Sequence, residues 1–325
     1  MPNLISVFIV SYNTSALLEN CLSSVFSCRP QVSLEVFVVD NHSTDDTLQM
    51  IEKNFPDVNV VALPQNMGFT KAINHVLPMG SGHYYLILHP DVVVFPETLL
   101  QLLAFFKNHK SAGILGANLQ YPDGTPNACE ILFPSVKNDL ICFAVRLFRK
   151  LPAGNLLLGK DYNPLEWSRK STSKVNWVWD ACMMVRKAVF EDIGYFDEDF
   201  FVWYADWDFC KRASDMGWQI YYVLPAKAVH YEFQSFDDST LPSEYVRYKV
   251  DGWQSASVMI PDRYTFVRKH CCESLPGIKA IDLFQNTLRG GLILGKTLIE
   301  GPSALSAVSR AMKAYLKNIR AICTS

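Results

Sequence analysis

The stretch Tyr84-Tyr85-Leu86-Ile87-Leu88-His89-Pro90-Asp91-Val92-Val93-Val94 sets one carboxylate inside an apolar run. Tyr84 to Leu88 reads as a buried strand. Pro90 ends it, because proline has no N–H to give a sheet ladder. Asp91 therefore falls just past the strand's C-terminal end. In an open parallel α/β sheet that edge is where ligands bind. A carboxylate there suits a metal ion, including one carried by a phosphate-bearing ligand.

Outward from this stretch, strand and helix patterns alternate over the first 120 residues. Ile5 to Val10 is an apolar run ending at Ser11-Tyr12-Asn13, and Leu17 to Phe26 follows with helical spacing. Leu34 to Val39 is a second strand, ending at Asp40. Ser43 or Thr44 is placed to cap the next helix, which runs to about Asn54 with Asp45 and Asp46 in its first turn. Val58 to Leu63, a helix from Thr70 to Leu77, the Tyr84 strand, a helix from Pro96 to Asn108 and the strand Ala112 to Leu119 complete the series. Such alternation predicts βαβ units: an α/β, Rossmann-like, mostly parallel central sheet with helices on both faces.

The region Tyr121 to Val175 is irregular, and its amphipathic piece, Leu140 to Leu151, is too short to cross a bilayer. Pattern resumes with Trp177 to Arg186, a helix from Lys187 to Ile193, another from Asp206 to Met216, and a strand from Trp218 to Val223. From Pro276 onward the spacing is helical, broken at Gly290-Gly291 and Gly301-Pro302. Three parts follow: 1–120 as an alternating strand–helix half, 121–270 as a second half, and 271–325 as C-terminal helices.

Composition narrows the partners. A net charge of −2 carries no nucleic-acid signal. From Gly277 to Ser325, however, seven Lys/Arg face two Asp/Glu, so the rest of the chain sums to −7. A basic tail with apolar faces on an acidic body points to an anionic surface, such as the inner face of a cytoplasmic membrane, or else to packed helices with a solvated basic side. Nine cysteines without a CxxC pair fit a reducing compartment, and the N-terminus lacks the pattern of a signal peptide. A cytoplasmic, peripherally membrane-associated protein is the expectation.

Asn13, Asp40 and Asp91 each follow a strand, so all three reach one sheet edge. Any one alone is also a turn former or helix cap. In order they accompany further pieces: Ser11-Tyr12-Asn13; Val38-Val39-Asp40-Asn41-His42-Ser43-Thr44-Asp45; Asn66-Met67-Gly68-Phe69 with Asn74; and Leu88-His89-Pro90-Asp91. Downstream come Met183 to Arg186, Gly194-Tyr195-Phe196-Asp197-Glu198, Asp206-Trp207-Asp208-Phe209-Cys210-Lys211-Arg212, Gly217-Trp218 and His230. Together, over about residues 4 to 235, these resemble the inverting family-two glycosyltransferases, in particular their rhamnosyltransferase-like subgroup.

The resemblance implies a glycosyltransferase A-type fold and roles for particular residues. Asp40 would hold the donor's nucleobase. Tyr12 and Asn13 would flank base and ribose, and Asn66, Gly68, Phe69, Asn74 and His89 would line the donor. Gly68 would let backbone approach the phosphates. Asp91 would hold Mn²⁺ or Mg²⁺ on the diphosphate. His230 has two readings: a second metal ligand, which would favour Mn²⁺, or a packed structural histidine. Asp206 matches the catalytic base, whereas Asp208, two positions on, faces elsewhere and fits a charge at a helix N-terminus. Trp179, Asp180 and Trp207 fall where an acceptor would bind, although core packing also explains aromatic clusters.

Two positions depart from the family pattern. His89 stands where Asp or Asn often begins the metal motif, and Ala205 stands where Glu often precedes the base. The resemblance implies sugar transfer from a nucleotide-sugar donor to a saccharide or lipid-linked acceptor, in polysaccharide or lipopolysaccharide synthesis. The departures motivate an alternative, a non-catalytic nucleotide- or sugar-binding relative. A dinucleotide oxidoreductase is disfavoured, since no GxGxxG follows the first strand.

Overall fold

The computed structural model describes residues 4–127, 133, 135–149, 171–231, 253–285, 287, 316 and 322–323. The chain divides into two compact units: Met1–Leu132 with Glu166–Asp237, and Phe133–Leu165 with Asp238–Ser325.

The first unit carries the sheet. β1 (Ile5–Ser11), β2 (Leu34–Asp40), β3 (Asn59–Ala62) and β4 (Tyr84–Leu88) form its parallel half in the order β3-β2-β1-β4. β1, β2 and β4 are the near-continuous apolar runs that a strand buried on both sides requires, whereas β3 is an exposed edge strand. α1 (Ser15–Ser27), α2 (Thr47–Asn54), α3 (Phe69–Asn74) and α4 (Pro96–Asn108) connect or flank them. Leu18, Cys21, Leu22 and Val25 line one face of α1, and all are buried against the sheet. Each such side chain contributes roughly 1.5–3 kcal/mol by leaving water.

The other half of the sheet is mixed. β8 (Cys182–Arg186) lies antiparallel between β4 and β6 (Ala112–Gln120), so residues on both sides of the irregular region share one sheet. β9 (Gln219–His230) runs parallel to β6 and antiparallel to both β5 (Val92–Val94) and β7 (Ser173–Val175). It is longer than its apolar pattern suggests. The register skips between Val223 and Lys227, which leaves Pro225 outside the ladder, and Asn118 Nδ2 donates to the Leu224 carbonyl there at 3.0 Å.

Several boundaries move for local reasons. α2 starts at Thr47 with Asp46 as its cap residue, because Ser43 and Thr44 are drawn to Asp40 and Asn13 instead. α3 ends at Asn74, and a 3₁₀ turn at Leu77–Met79 replaces its last turn. Only Cys182–Arg186 of the Trp177 run is strand. α6 (Lys187–Ile193) and α7 (Ala205–Asp215) lie close to expectation.

The second unit contains α5 (Val136–Arg149), α8 (Trp253–His270) and a helix over residues 275–285. Tyr264, Val267, Ile278 and Ile322 form its core. Arg263 holds Asp282 at 2.7 and 2.9 Å and also bonds Asp139, while the Tyr264 hydroxyl donates to Asp282 at 2.9 Å. Among the described residues no helix is long and apolar enough to cross a membrane. Most of the amphipathic stretch expected over Ala304 to Ile322, and much of the irregular region from 121 to 175, lies outside the described residues.

Candidate active site

Three adjacent parallel strands deliver the first residues. Ser11 of β1 is level with Asp40 of β2, and Ile9 is level with Leu88 of β4. Asn13, Asp40 and His89 therefore emerge from neighbouring strand ends, each about 4.8 Å from the next strand.

Asp40 is buried. Its Oδ2 accepts the Ser43 N–H at 3.1 Å, while its Oδ1 is buried with no hydrogen-bond partner among the described residues. A buried acceptor in that condition suits an incoming N–H. Asn13 adopts a left-handed φ of 52° and accepts the Thr44 N–H at 2.7 Å. It stitches the β1 and β2 loops together, and its Nδ2 is buried with no partner among the described residues.

The Asn66–Phe69 loop is built from the inside by Asn41, whose part the sequence did not signal. Asn41 Nδ2 donates to Asn66 Oδ1 at 2.9 Å, and its Oδ1 accepts the Met67 N–H at 2.8 Å. Gly68 has φ +80°, and a Cβ there would lie 2.7 Å from the Phe201 ring and 2.9 Å from its carbonyl. Glycine is thus required here by the close approach of Phe201. The Phe69 N–H donates to that same carbonyl at 2.9 Å, and the Phe69 ring meets His89 edge-on at 6.0 Å. Asn74 ties α3 to the segment before α7: its amide bonds Phe196 O at 2.8 Å and Glu198 at 3.1 Å. Tyr12 is half-buried just beyond β1.

β5 pairs Val92 with His230, which sets His230 beside Asp91. His89, Asp91 and His230 each offer one ligand atom, all within 4.8 Å of one another. His230 Nε2 is 3.4 Å from Asp91 Oδ1, and its Nδ1 is 3.2 Å from Asn127 Nδ2. Asp91, His230 and Asn127 are all buried. Two imidazoles and a carboxylate in a shielded pocket are a fitting donor set for a divalent transition ion.

Asp180 lies at the start of β8, with Oδ1 3.2 Å from His89 Nε2. Burial works against a charged His89, yet Asp180, with smaller help from Asp91 and Asp206, lifts its pKa to about 9. Trp179 meets His230 edge-on at 6.0 Å.

Asp206 is buried in the first turn of α7 and accepts the Trp207 N–H at 2.9 Å. Burial pushes its carboxyl well above the ordinary range, and Asp180 pushes the same way. The Trp207 N–H and His89 pull in the opposite direction. Tyr204, the cap of this helix, has φ 62°, a strained conformation for a bulky residue. Asp208 is separate from this group: it accepts from Arg212 Nε at 2.7 Å, and Arg212 also bonds the Ile193 and Tyr195 carbonyls. Trp207 packs on Trp177 at 4.5 Å and on Tyr204 at 4.8 Å.

Three comparisons with known proteins bear on this arrangement. The family model described as "Glycosyl transferase family 2" matches residues 6–194. The N-acetylglucosaminyl-diphospho-decaprenol L-rhamnosyltransferase of Mycobacterium tuberculosis is 26% identical over 256 residues, which cover 72% of this chain and 78% of that protein. A low-salt glycan biosynthesis hexosyltransferase of Haloferax volcanii is 25% identical over 248 residues, covering 75% and 72%. Among solved structures, a mannosyltransferase from Pyrobaculum calidifontis, in complex with GDP-Man and Mn²⁺, shares the fold with a TM-score of 0.51 at 15% identity, over 97% of this chain and 86% of that one.

Proposed function

Since this chain belongs to glycosyl transferase family 2, we propose that it transfers a hexosyl residue, with inversion, from a nucleotide sugar to a saccharide or lipid-linked acceptor in cell-surface polysaccharide synthesis. Rhamnosyl transfer is the preferred reading, and the mycobacterial relative's name supports both that sugar and a lipid-linked acceptor. The observation that carries the proposal is the buried Asp206 carboxyl, which interacts electrostatically with Asp180 and with His89, a member of the His89–Asp91–His230 group.

The base of the donor lies against Asp40, whose unpartnered Oδ1 accepts its N–H. Asn13 and Tyr12 border the ribose, and the Asn66–Phe69 loop, braced by Asn41, closes the other side. A divalent cation held by His89, Asp91 and His230 would neutralise charge on the departing diphosphate. Asp206 accepts the proton of the acceptor hydroxyl as that oxygen attacks the anomeric carbon from the face opposite the diphosphate. A raised pKa suits this step, because the carboxyl keeps the proton it has taken. Trp179 and Trp207 offer apolar faces to the acceptor's rings.

With two imidazoles in the donor set, Mn²⁺ is preferred to Mg²⁺. The His89 departure leaves three ligand atoms in the cluster, which favours an enzyme over the non-catalytic alternative. The +5 balance of residues 277–325 supports a peripheral site on an anionic membrane.

The test is a panel of nucleotide sugars, with and without Mn²⁺, read by thermal shift and by release of free nucleotide in the presence of lipid-linked acceptors. One donor should raise the unfolding midpoint with Mn²⁺ present and should turn over. Binding without turnover across donors and acceptors would defeat the proposal.

A further inference from the structure

The geometry points to Asp180 as a positioning residue for the metal site, acting through His89, rather than as an acceptor ligand, with Asn127 serving His230 in the same way. The inference rests on the metal reading above and deepens it.

The backbone fixes the pairing. His89 lies one residue beyond β4, and its N–H donates to the Ala181 carbonyl at 3.0 Å. That bond continues the β4–β8 ladder from Leu88–Cys182 and holds Asp180 beside the His89 side chain. The result is the 3.2 Å contact from Asp180 Oδ1 to His89 Nε2. An ionised carboxylate only accepts, so the proton of this contact sits on Nε2. Once His89 binds metal as a neutral imidazole, Nδ1 is the nitrogen left with a lone pair.

The same logic applies at His230 with the nitrogens exchanged. Nε2 faces Asp91 Oδ1 at 3.4 Å, and Nδ1 faces the Asn127 side-chain amide at 3.2 Å. A carboxamide presents either its NH₂ or, turned over, its oxygen. With the oxygen turned to Nδ1, that nitrogen keeps the proton and Nε2 has its lone pair directed to Asp91 and the ion. Each imidazole thus has a partner at one ring nitrogen that decides which nitrogen is free. Metal-binding histidines commonly depend on such partners, whose loss typically costs about 10- to 100-fold in affinity.

The experiment uses the full chain. Mn²⁺ binding is measured by the loss of the free-ion electron paramagnetic resonance signal in the wild type, Asp180→Asn, Asp180→Glu, His89→Ala and the Asp180→Asn/His89→Ala double variant. Unfolding midpoints show that each variant is folded. Asp180→Asn should weaken Mn²⁺ binding about 10- to 100-fold, and Asp180→Glu should recover part of it. In the His89→Ala background the Asp180 change should cost nothing further, since its effect passes through His89. At saturating Mn²⁺ the acceptor KM should be unchanged in Asp180→Asn.

Mn²⁺ affinity within twofold of wild type in a folded Asp180→Asn protein would overturn the inference. So would an equal loss in the His89→Ala background, or a raised acceptor KM with metal binding intact. If Asp180→Asn does not fold, Asp180→Glu carries the test: it must bind Mn²⁺ more weakly than wild type, with that loss absent when His89 is alanine. A wild-type protein that binds no Mn²⁺ sinks the metal reading itself, a different outcome from the other failures.

Discussion

Replacing Asp206 by Asn should abolish most of the activity and make the protein more stable. The catalytic half follows from the loss of the proposed base. General-base catalysis is worth about 10²- to 10⁴-fold, or roughly 2.7–5.5 kcal/mol of barrier. The stability half follows from where Asp206 sits. It is buried, and burial together with Asp180 raises its pKa in the folded protein. In the unfolded chain an Asp titrates near ~3.9. Between that pH and the raised folded pKa, the folded state binds more protons than the unfolded state, so stability falls as pH rises. Each unit of the shift costs about 1.4 kcal/mol once the pH exceeds both values. Asn is neutral throughout, and its side-chain oxygen can still accept the 2.9 Å bond from the Trp207 N–H. The variant should therefore exceed wild type in urea-unfolding stability at pH 8, with the gap closing near pH 4. In the wild type, kcat/KM should decline on the acid side from a higher pH than an ordinary carboxylate gives. Nucleotide release and urea unfolding, the latter in EDTA, read the two halves separately. A kcat within threefold of wild type, or a variant less stable than wild type at pH 8, would refute the reasoning.

Asp40→Asn replaces one oxygen of the buried donor site by an NH₂; donor affinity measured by calorimetry should fall by roughly 10- to 100-fold, matching about 1.5–3 kcal/mol for a hydrogen bond to a charged group. Gly68→Ala should destabilise the protein by at least ~1–2 kcal/mol for its left-handed backbone, and by more because its Cβ meets the Phe201 carbonyl; urea unfolding checks this. Removing residues 277–325 is a poor test of membrane binding, since Ile278, Asp282 and Ile322 are buried in the second unit. Changing the exposed Leu283 and Phe284 to Glu should instead reduce partition onto anionic vesicles by tenfold or more, as each apolar side chain buried in lipid is worth roughly 1.5–3 kcal/mol; unchanged flotation would count against a membrane role for this face.

The parallel half of the sheet was legible because β1, β2 and β4 are short apolar runs ending at a polar residue and Pro64 closes the run of β3. Asp91 could be placed from Pro90 alone. The mixed half was harder to read. Nothing in the run from Cys182 to Arg186 says that it inserts antiparallel between β4 and β6, because a strand buried on both faces shows the same apolar pattern in either direction. Asn127 follows a Pro122-Asp123-Gly124 turn and reads as part of it; its bond to Leu119 of β6 and the pairing of β6 with β9 bring it to His230. Gly68 and Asn74 were noticed as residues, but their neighbours, Phe201 and Phe196, lie more than 120 positions away. Periodicity reports which face is buried and is silent about the partner.

The two departures from the family pattern are better understood together with Asp180 than apart. An imidazole replaces an oxygen donor at position 89, and a carboxylate is absent at position 205, where Ala205 is wholly buried at the head of α7. A third carboxylate, Asp180, stands between the two functions. It lies 3.2 Å from His89, and it raises the pKa of Asp206, which is the tuning expected of the missing glutamate. Where the family carries Asp at position 89, an imidazole there makes the cluster less negative by at least one charge. Asp180 returns that charge one layer further out, where it polarises His89 and opposes ionisation of Asp206. With His89 as the proposed ligand and Asp206 as the proposed base, metal affinity and base strength would be coupled through Asp180, so a substitution there should move the acid limb of the pH profile together with the metal site.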